Sequence, residues 1–278
     1  MHEIDQIAPT EASRLRTFKL TLAYDGTGFH GWQVQPGLPT VQGELQSALG
    51  RVTGEPPLPQ GSGRTDAGVH ALAQVASFQL AAPIPTENLL RALNRTLPPA
   101  IRVIGAQVVA DTFHARHSAV AKSYEYRVFR GEICPPWVYP YVYGYSKRLD
   151  FVALEKAAEL FAGEHDFTSF AATDPDQTAR AGAPDQEDEP LANNIRTVFS
   201  SAWERQANDV GELWVYRVRG NGFLHHMVRN LVGAMIDVGR GFTTVERLKE
   251  ILEARSRSEA GPTAPASGLF LTSVEYEE

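Results

Sequence analysis

A chain of 278 residues with 43% apolar and 21% charged side chains has the make-up of a folded globular protein, long enough to bury a core as one large domain or two ordinary ones. No stretch approaches the roughly 18 uninterrupted apolar residues of a membrane span, and the lone Cys134 excludes internal disulfides and thiolate metal clusters and fits a reducing, cytoplasmic setting. A formal charge of -7 would argue against a nucleic-acid partner if it were evenly spread. It is not: Asp174, Asp176, Asp185, Glu187, Asp188 and Glu189 crowd into residues 173–190 against Arg180 alone, while between His114 and Arg130 the cations Arg116, Lys122, Arg127 and Arg130 face only Glu125.

Residues 1–16 lack both a basic start and an apolar run, so they read as a loose tail rather than a signal peptide. Phe18, Leu20, Leu22 and Tyr24 then alternate with polar or small residues, the period of a half-buried strand, and stop at the turn signal Asp25-Gly26. Thr40 is placed to cap a helix carrying Val41, Leu45, Ala48, Leu49 and Val52, which Gly54 and Pro56-Pro57 end. Ala71–Leu80 reads as a strand, Thr86 precedes a second helix through Leu89, Leu90, Leu93 and Leu97, and Ile101–Val109 reads as another strand. In Ser123–Phe129, Tyr124, Tyr126 and Val128 share one face and Glu125 and Arg127 the other. Tyr139, Tyr141, Tyr143 and Tyr145 alternate in a Pro-containing run, which predicts half of them in a core or interface. Asp150 caps a helix with Phe151, Leu154, Ala158 and Phe161, and the acidic, Pro-rich residues 173–190 read as a mobile insertion. Strands at Ile195–Arg205 and Leu213–Arg219, a helix from about His225 to Val238, a helix opened by a capping box Thr243-x-x-Glu246, and a strand at Leu269–Tyr276 complete the chain. Without strict strand–helix alternation the class is α+β, divided into halves at 17–112 and 113–278.

Chemistry concentrates in Gly61-Ser62-Gly63-Arg64-Thr65-Asp66-Ala67-Gly68-Val69-His70, just before a strand. Glycines let a backbone approach a ligand closely, and a carboxylate set there can act as a nucleophile or a base. The same residues also suit a Gly-rich turn with a surface ion pair. The segment lacks the Gly-Lys-Ser/Thr ending of a phosphate-binding loop. His225 and His226, if helical, point about 100° apart; His114 and His117, if in a strand, face opposite sides. Neither pair is assigned a metal.

The decapeptide at 61–70 resembles the active-site signature of the TruA family of tRNA pseudouridine synthases. Similar blocks stand in the family's order: Leu20-x-Leu22-x-Tyr24-Asp25-Gly26-Thr27-x-Phe29-x-Gly31-Trp32-Gln33, then Phe113-His114-Ala115-Arg116 with Lys122-Ser123-Tyr124-x-Tyr126, then Phe223–Asn230, then Thr263-Ala264-Pro265 with Gly268-Leu269. The resemblance thus spans residues 17–276. It implies two ferredoxin-like halves sharing a central antiparallel sheet with flanking helices. It implies a homodimer acting on uridines of the tRNA anticodon stem-loop, positions 38–40, without cofactor or metal. By motif position Asp66 is the catalytic aspartate, Tyr124 the active-site aromatic, and Arg229 the basic partner; Gly63, Arg64, Thr65, His70, Arg116, Lys122, Asn221 and His225 are the implied substrate-binding residues. Asp66 would add to C6 of uracil or to C1′ of ribose, a choice the residues leave open. Arg229 among Val228, Leu231 and Val232 suits a snorkelling arginine as well, and Tyr124 a core residue.

Two rivals remain on sequence grounds. A catalytically silent RNA-binding scaffold would have lost Arg64 or Asp66, and both are present. A glycoside or nucleoside hydrolase usually needs two carboxylates about the bond, and one stands out here.

Overall fold

The computed structural model describes residues 15–172, 193–208 and 211–277. The tail up to residue 14 and the acidic insertion lie outside them. Two compact units divide the chain: residues 1–119 with 276–278, and residues 120–275.

In the first unit, β1 (Arg16–Tyr24) is the middle strand of an antiparallel sheet in the order β4-β1-β3, with β3 at His70–Leu80 and β4 at Ile101–Val109. The short β2 (Gln60–Gly61) adds to β3. Phe18, Leu20, Leu22 and Tyr24 are all buried, as the alternation predicts, and Phe18 stacks on Phe78 across the β1–β3 pair. α1 (Val41–Thr53) starts at Thr40, whose hydroxyl accepts from Gly43 N–H, and ends where Gly54 turns left-handed at φ 76. α2 (Thr86–Thr96) has Pro85 rather than a side-chain acceptor at its N-cap, so Thr86 is its first residue. Buried Leu45, Leu49, Leu89 and Leu93 give the helices their core faces.

The second unit holds strands in the order β10-β5-β9-β8-β7, antiparallel from β5 to β7: β5 (Ala119–Arg130), β7 (Gly163–Asp166), β8 (Ile195–Asn208), β9 (Gly211–Gly220) and β10 (Leu269–Tyr276), with the two-residue β6 (Tyr143–Gly144) parallel to β5. One sheet face carries Tyr124, Tyr126, Val128 and Tyr216 into the core. The other carries ions: Glu125 bonds Arg127 at 3.1 Å and Arg217 at 3.0 Å. Helices α3 (Phe151–Glu159), α4 (Met227–Gly239) and α5 (Val245–Ala254) complete the unit. α4 is buried on all sides except at Arg229, the pattern of a helix in the middle of a core.

Three local expectations need correction. Thr244, not Thr243, caps α5 and accepts from Arg247 N–H, because the helix starts one residue later than the sequence pattern suggests. The alternating tyrosines do not send half their number into the core: Tyr139–Tyr141 forms a turn of 3-10 helix, Tyr143 lies in the short β6, none of the four is buried, and Val142 is buried between them. His225 and His226 precede α4 rather than opening it. Among the described residues no helix is long and apolar enough to cross a membrane.

Candidate active site

Gly63, Arg64, Thr65 and Asp66 share one loop of the first unit, His70 opens β3 just after it, and the shape of the loop follows from what it is packed on. Gly61 abuts the indole of Trp32; a Cβ there would lie 2.6 Å from the ring. The Ser62 hydroxyl donates to Gln74 Oε1 at 2.7 Å, and Gln74 Nε2 donates to the Gly63 carbonyl at 2.9 Å. Gln74 is fully buried in β3, so its amide acts as a two-ended clamp on the loop. Thr65 Oγ1 shares a 2.8 Å hydrogen bond with the Tyr24 hydroxyl, and the Thr65 carbonyl accepts from Trp32 N–H at 3.0 Å. Burial pushes the Tyr24 phenol up to about 12, with its bonds to Thr65 and Gln74 opposing, which keeps it neutral and part of the framework.

Thr65 is thus buried, whereas its two neighbours are not. Arg64 is exposed and Asp66 half-buried. After Asp66 a turn closes with Val69 N–H on the Asp66 carbonyl at 3.1 Å, through Gly68 at φ 77. The segment after β1 forms the floor. Gly26 meets Val69 so closely that a Cβ would sit 2.0 Å from its carbonyl oxygen, and at Gly31, φ 86, a Cβ would lie 2.4 Å from the Thr65 oxygen. His70 is buried and accepts from Gly26 N–H through Nδ1 at 3.1 Å. The two motif blocks at 20–33 and 61–70 are therefore one structural piece. Arg116, also in this unit, is exposed in the turn after β4. In that turn His114 and His117 do not face opposite sides: their rings lie 4.4 Å apart, since the segment bends rather than extends.

The second unit carries Lys122, Tyr124, Asn221, His225 and Arg229. Tyr124 lies in β5 opposite Val218, buried, with its ring edge-on to Phe223 at 5.0 Å. Lys122 is half-buried two residues before it, opposite Gly220. Asn221 is exposed and closes the β8–β9 pair, its Oδ1 accepting from Thr197 N–H at 3.0 Å. His225 and His226 are not on the helix but in its approach, and their rings lie 4.0 Å apart. His226 adopts φ 59 at the N-cap, a conformation uncommon for residues with a side chain and enriched near functional sites. Arg229, half-buried on the first turn of α4, donates from Nε to the Ala264 carbonyl at 2.8 Å.

Gln74, Ser62 and the Tyr24 hydroxyl are functional supports that motif reading missed. The available signal was a glutamine, Gln74, among the small and apolar residues Ala71–Ala76. A separate cleft of about 600 Å³ in the second unit, lined among others by Arg130, Ser146, Arg148 and Trp214, contains no residue of the predicted site.

The fold and loop define an α+β protein that presents a single aspartate, beside an arginine, from a rigid Gly-rich turn. A family model described as tRNA pseudouridine synthase matches residues 21–118 and 157–277. The chain belongs to that family. It is 52% identical over 262 residues to a tRNA pseudouridine synthase A of Solibacter usitatus, covering 94% of this chain and 100% of that protein. It is 42% identical to proteins of the same name from Lacticaseibacillus casei, covering 93% and 99%, and from Moorella thermoacetica, covering 93% and 98% of the two chains.

Proposed function

We propose that Asp66 is the nucleophile with which this member of the tRNA pseudouridine synthase family converts uridine to pseudouridine in tRNA. The reaction breaks the N1–C1′ bond, turns the uracil and joins C5 to C1′; N1 gains a proton and C5 loses one. Asp66 adds to C6 of the base or to C1′ of the ribose and leaves at the end. The observation that carries this reading is the half-buried Asp66 presented by a loop whose inward groups, Ser62, Gly63 and Thr65, are all engaged. Such fixed presentation is what a nucleophile needs, since small misplacements cost rate steeply.

The other residues take roles their positions favour. Tyr124, a ring on a rigid strand, stacks on the base and can relay a proton. Arg229 supplies positive charge. Arg64, Arg116 and Lys122 contact phosphates, which repays the cost of everting the target nucleotide. Asn221 and His225 belong to the same substrate-binding set through the segment before α4. Gly63 allows close approach of the backbone. Thr65 and His70, both buried, serve by holding the loop. We read the substrate as uridines on the 3′ side of the anticodon stem-loop, the halves 17–112 and 113–278 as ferredoxin-like, the assembly as a homodimer, and the compartment as cytoplasmic, each on the motif resemblance.

The test uses tRNA carrying C5-tritiated uridine, because isomerisation releases that tritium while binding or base hydrolysis does not. The wild type releases it; Asp66→Ala binds tRNA and releases none. Release by Asp66→Ala at the wild-type rate overturns the assignment, and binding without release by the wild type favours the silent RNA-binding reading.

A further inference from the structure

The motif Thr263-Ala264-Pro265 has no chemistry of its own, yet it makes the contact that fixes Arg229. Arg229 Nε donates to the Ala264 carbonyl at 2.8 Å, and Ala264 N–H returns a bond to the Arg229 carbonyl at 3.1 Å. An arginine side chain has much rotamer freedom to lose. Seizing it at Nε sets the direction of the planar guanidinium from its base.

Ala264 is itself held from both sides. On one side, Thr263 Oγ1 donates to Asn230 Oδ1 at 2.6 Å, and Arg257 NH2 bridges Thr263 Oγ1 at 3.0 Å and Asn230 Oδ1 at 3.1 Å. Arg257 NH1 also ties down the Gly261 carbonyl at 2.9 Å. Asn230, fully buried and adjacent to Arg229 in α4, anchors the cluster by donating to the Phe170 carbonyl at 2.7 Å. On the other side, the buried Tyr126 hydroxyl donates to the Pro265 carbonyl at 2.8 Å. Between these points the segment rests on the helix backbone: at Gly233 a Cβ would lie 1.9 Å from the Pro262 oxygen. A side chain there would lift Ala264 away from Arg229.

We propose that Asn230, Arg257, Thr263 and Tyr126 are positioning residues that hold the Arg229 guanidinium in its working direction through the Ala264 carbonyl. The inference rests on the role given to Arg229 above. It separates the motif block 263–265 from substrate contact and assigns it to the geometry of a cation on α4.

The test is a double-mutant cycle on single-turnover tritium release, with Thr263→Val and Tyr126→Phe as two near-isosteric ways to loosen the clamp. Each is expected to lower the rate about tenfold at saturating tRNA while the tRNA Kd stays within about twofold, and Thr263→Ser, which keeps the hydroxyl, restores the rate. On an Arg229→Ala background, neither substitution lowers the rate further, because groups acting through one another are non-additive. The same tenfold loss on that background overturns the clamp and leaves the role of Arg229 standing. A wild-type rate for Arg229→Ala instead overturns the reading of Arg229 itself. Should Thr263→Val fail to fold, Tyr126→Phe carries the same comparison from the opposite side.

Discussion

Replacing Gly26 by alanine tests whether the loop at 61–70 owes its shape to the strand end beneath it. The added Cβ would lie 2.0 Å from the Val69 carbonyl oxygen, and its neighbours there are backbone atoms that cannot rotate aside. Relief requires the two segments to part by roughly an ångström, since carbon and oxygen in van der Waals contact stand well over 3 Å apart. That parting strains three hydrogen bonds: Gly26 N–H to His70 Nδ1 at 3.1 Å, Phe29 N–H to the Gly26 carbonyl at 3.0 Å, and Gly68 N–H to the Phe29 carbonyl at 3.2 Å. At about 1 kcal/mol each, losing two or three costs about 2–3 kcal/mol. For a chain of this size the thermal midpoint should fall by roughly 5–10 °C. Because Asp66 moves with the loop, tritium release should drop on the order of 100-fold. Gly28 is the internal control: it is exposed, has no left-handed φ, and its Cβ would meet nothing within 4 Å. Gly28→Ala should change stability by less than about 0.5 kcal/mol. Calorimetry and single-turnover release on both variants decide the matter. A Gly26→Ala protein with wild-type midpoint and rate, or a Gly28→Ala protein equally impaired, refutes the reasoning.

Tyr24→Phe removes the bond to Thr65 Oγ1 and leaves that buried hydroxyl without it; urea unfolding should register a loss of about 1–3 kcal/mol. Tyr124→Phe should keep most of the activity if the ring acts by stacking, whereas Tyr124→Leu should lose it, as followed by tritium release; a Phe variant as inactive as Leu would assign the hydroxyl a proton role. Arg116→Ala and Lys122→Ala should each reduce the slope of log affinity against log salt by about 1 in tRNA-binding titrations. The Thr168 hydroxyl, at 2.6 Å, lowers the Asp166 carboxyl below its usual range, with Arg255 adding to the effect. A depressed folded-state value means stabilisation that is present above the unfolded carboxylate pKa and lost as pH falls through the folded one. Asp166→Asn should therefore flatten the acid side of a melting-temperature profile.

Period and punctuation made most elements legible. β4 and β10 coincide with the segments predicted as strands, and α1 begins and ends at Thr40 and Gly54 as cap chemistry requires. The failures share a cause, which is that local pattern does not fix where a helix or strand actually starts. The box Thr243-x-x-Glu246 placed the cap of α5 one residue too early, and the structure has Thr244 accepting from Arg247 N–H. His225 and His226 look helical because α4 follows at once, but His226 turns left-handed and ends the continuity. The tyrosines alternate in sequence, yet Tyr139–Tyr141 around Pro140 is a 3-10 turn and only Tyr143 lies in a strand, so the alternate residues do not share one face.

At the loop, chemical type alone did not separate residues that act from residues that hold. Thr65 stands between Arg64 and Asp66 and carries a hydroxyl, so a motif reading groups all three as contacts. Burial divides them: Thr65 is only 6% exposed, with its hydroxyl bonded to Tyr24, while Arg64 is exposed and Asp66 half-buried. The same logic applies to Gln74, whose fully buried amide would be costly unless bonded at both ends. Its partners, Ser62 and Gly63, are the two residues before Arg64. A buried polar network thus holds the loop that carries Arg64 and Asp66. Since the network is specified by residues eleven and more positions apart in the chain, only the folded backbone reveals it.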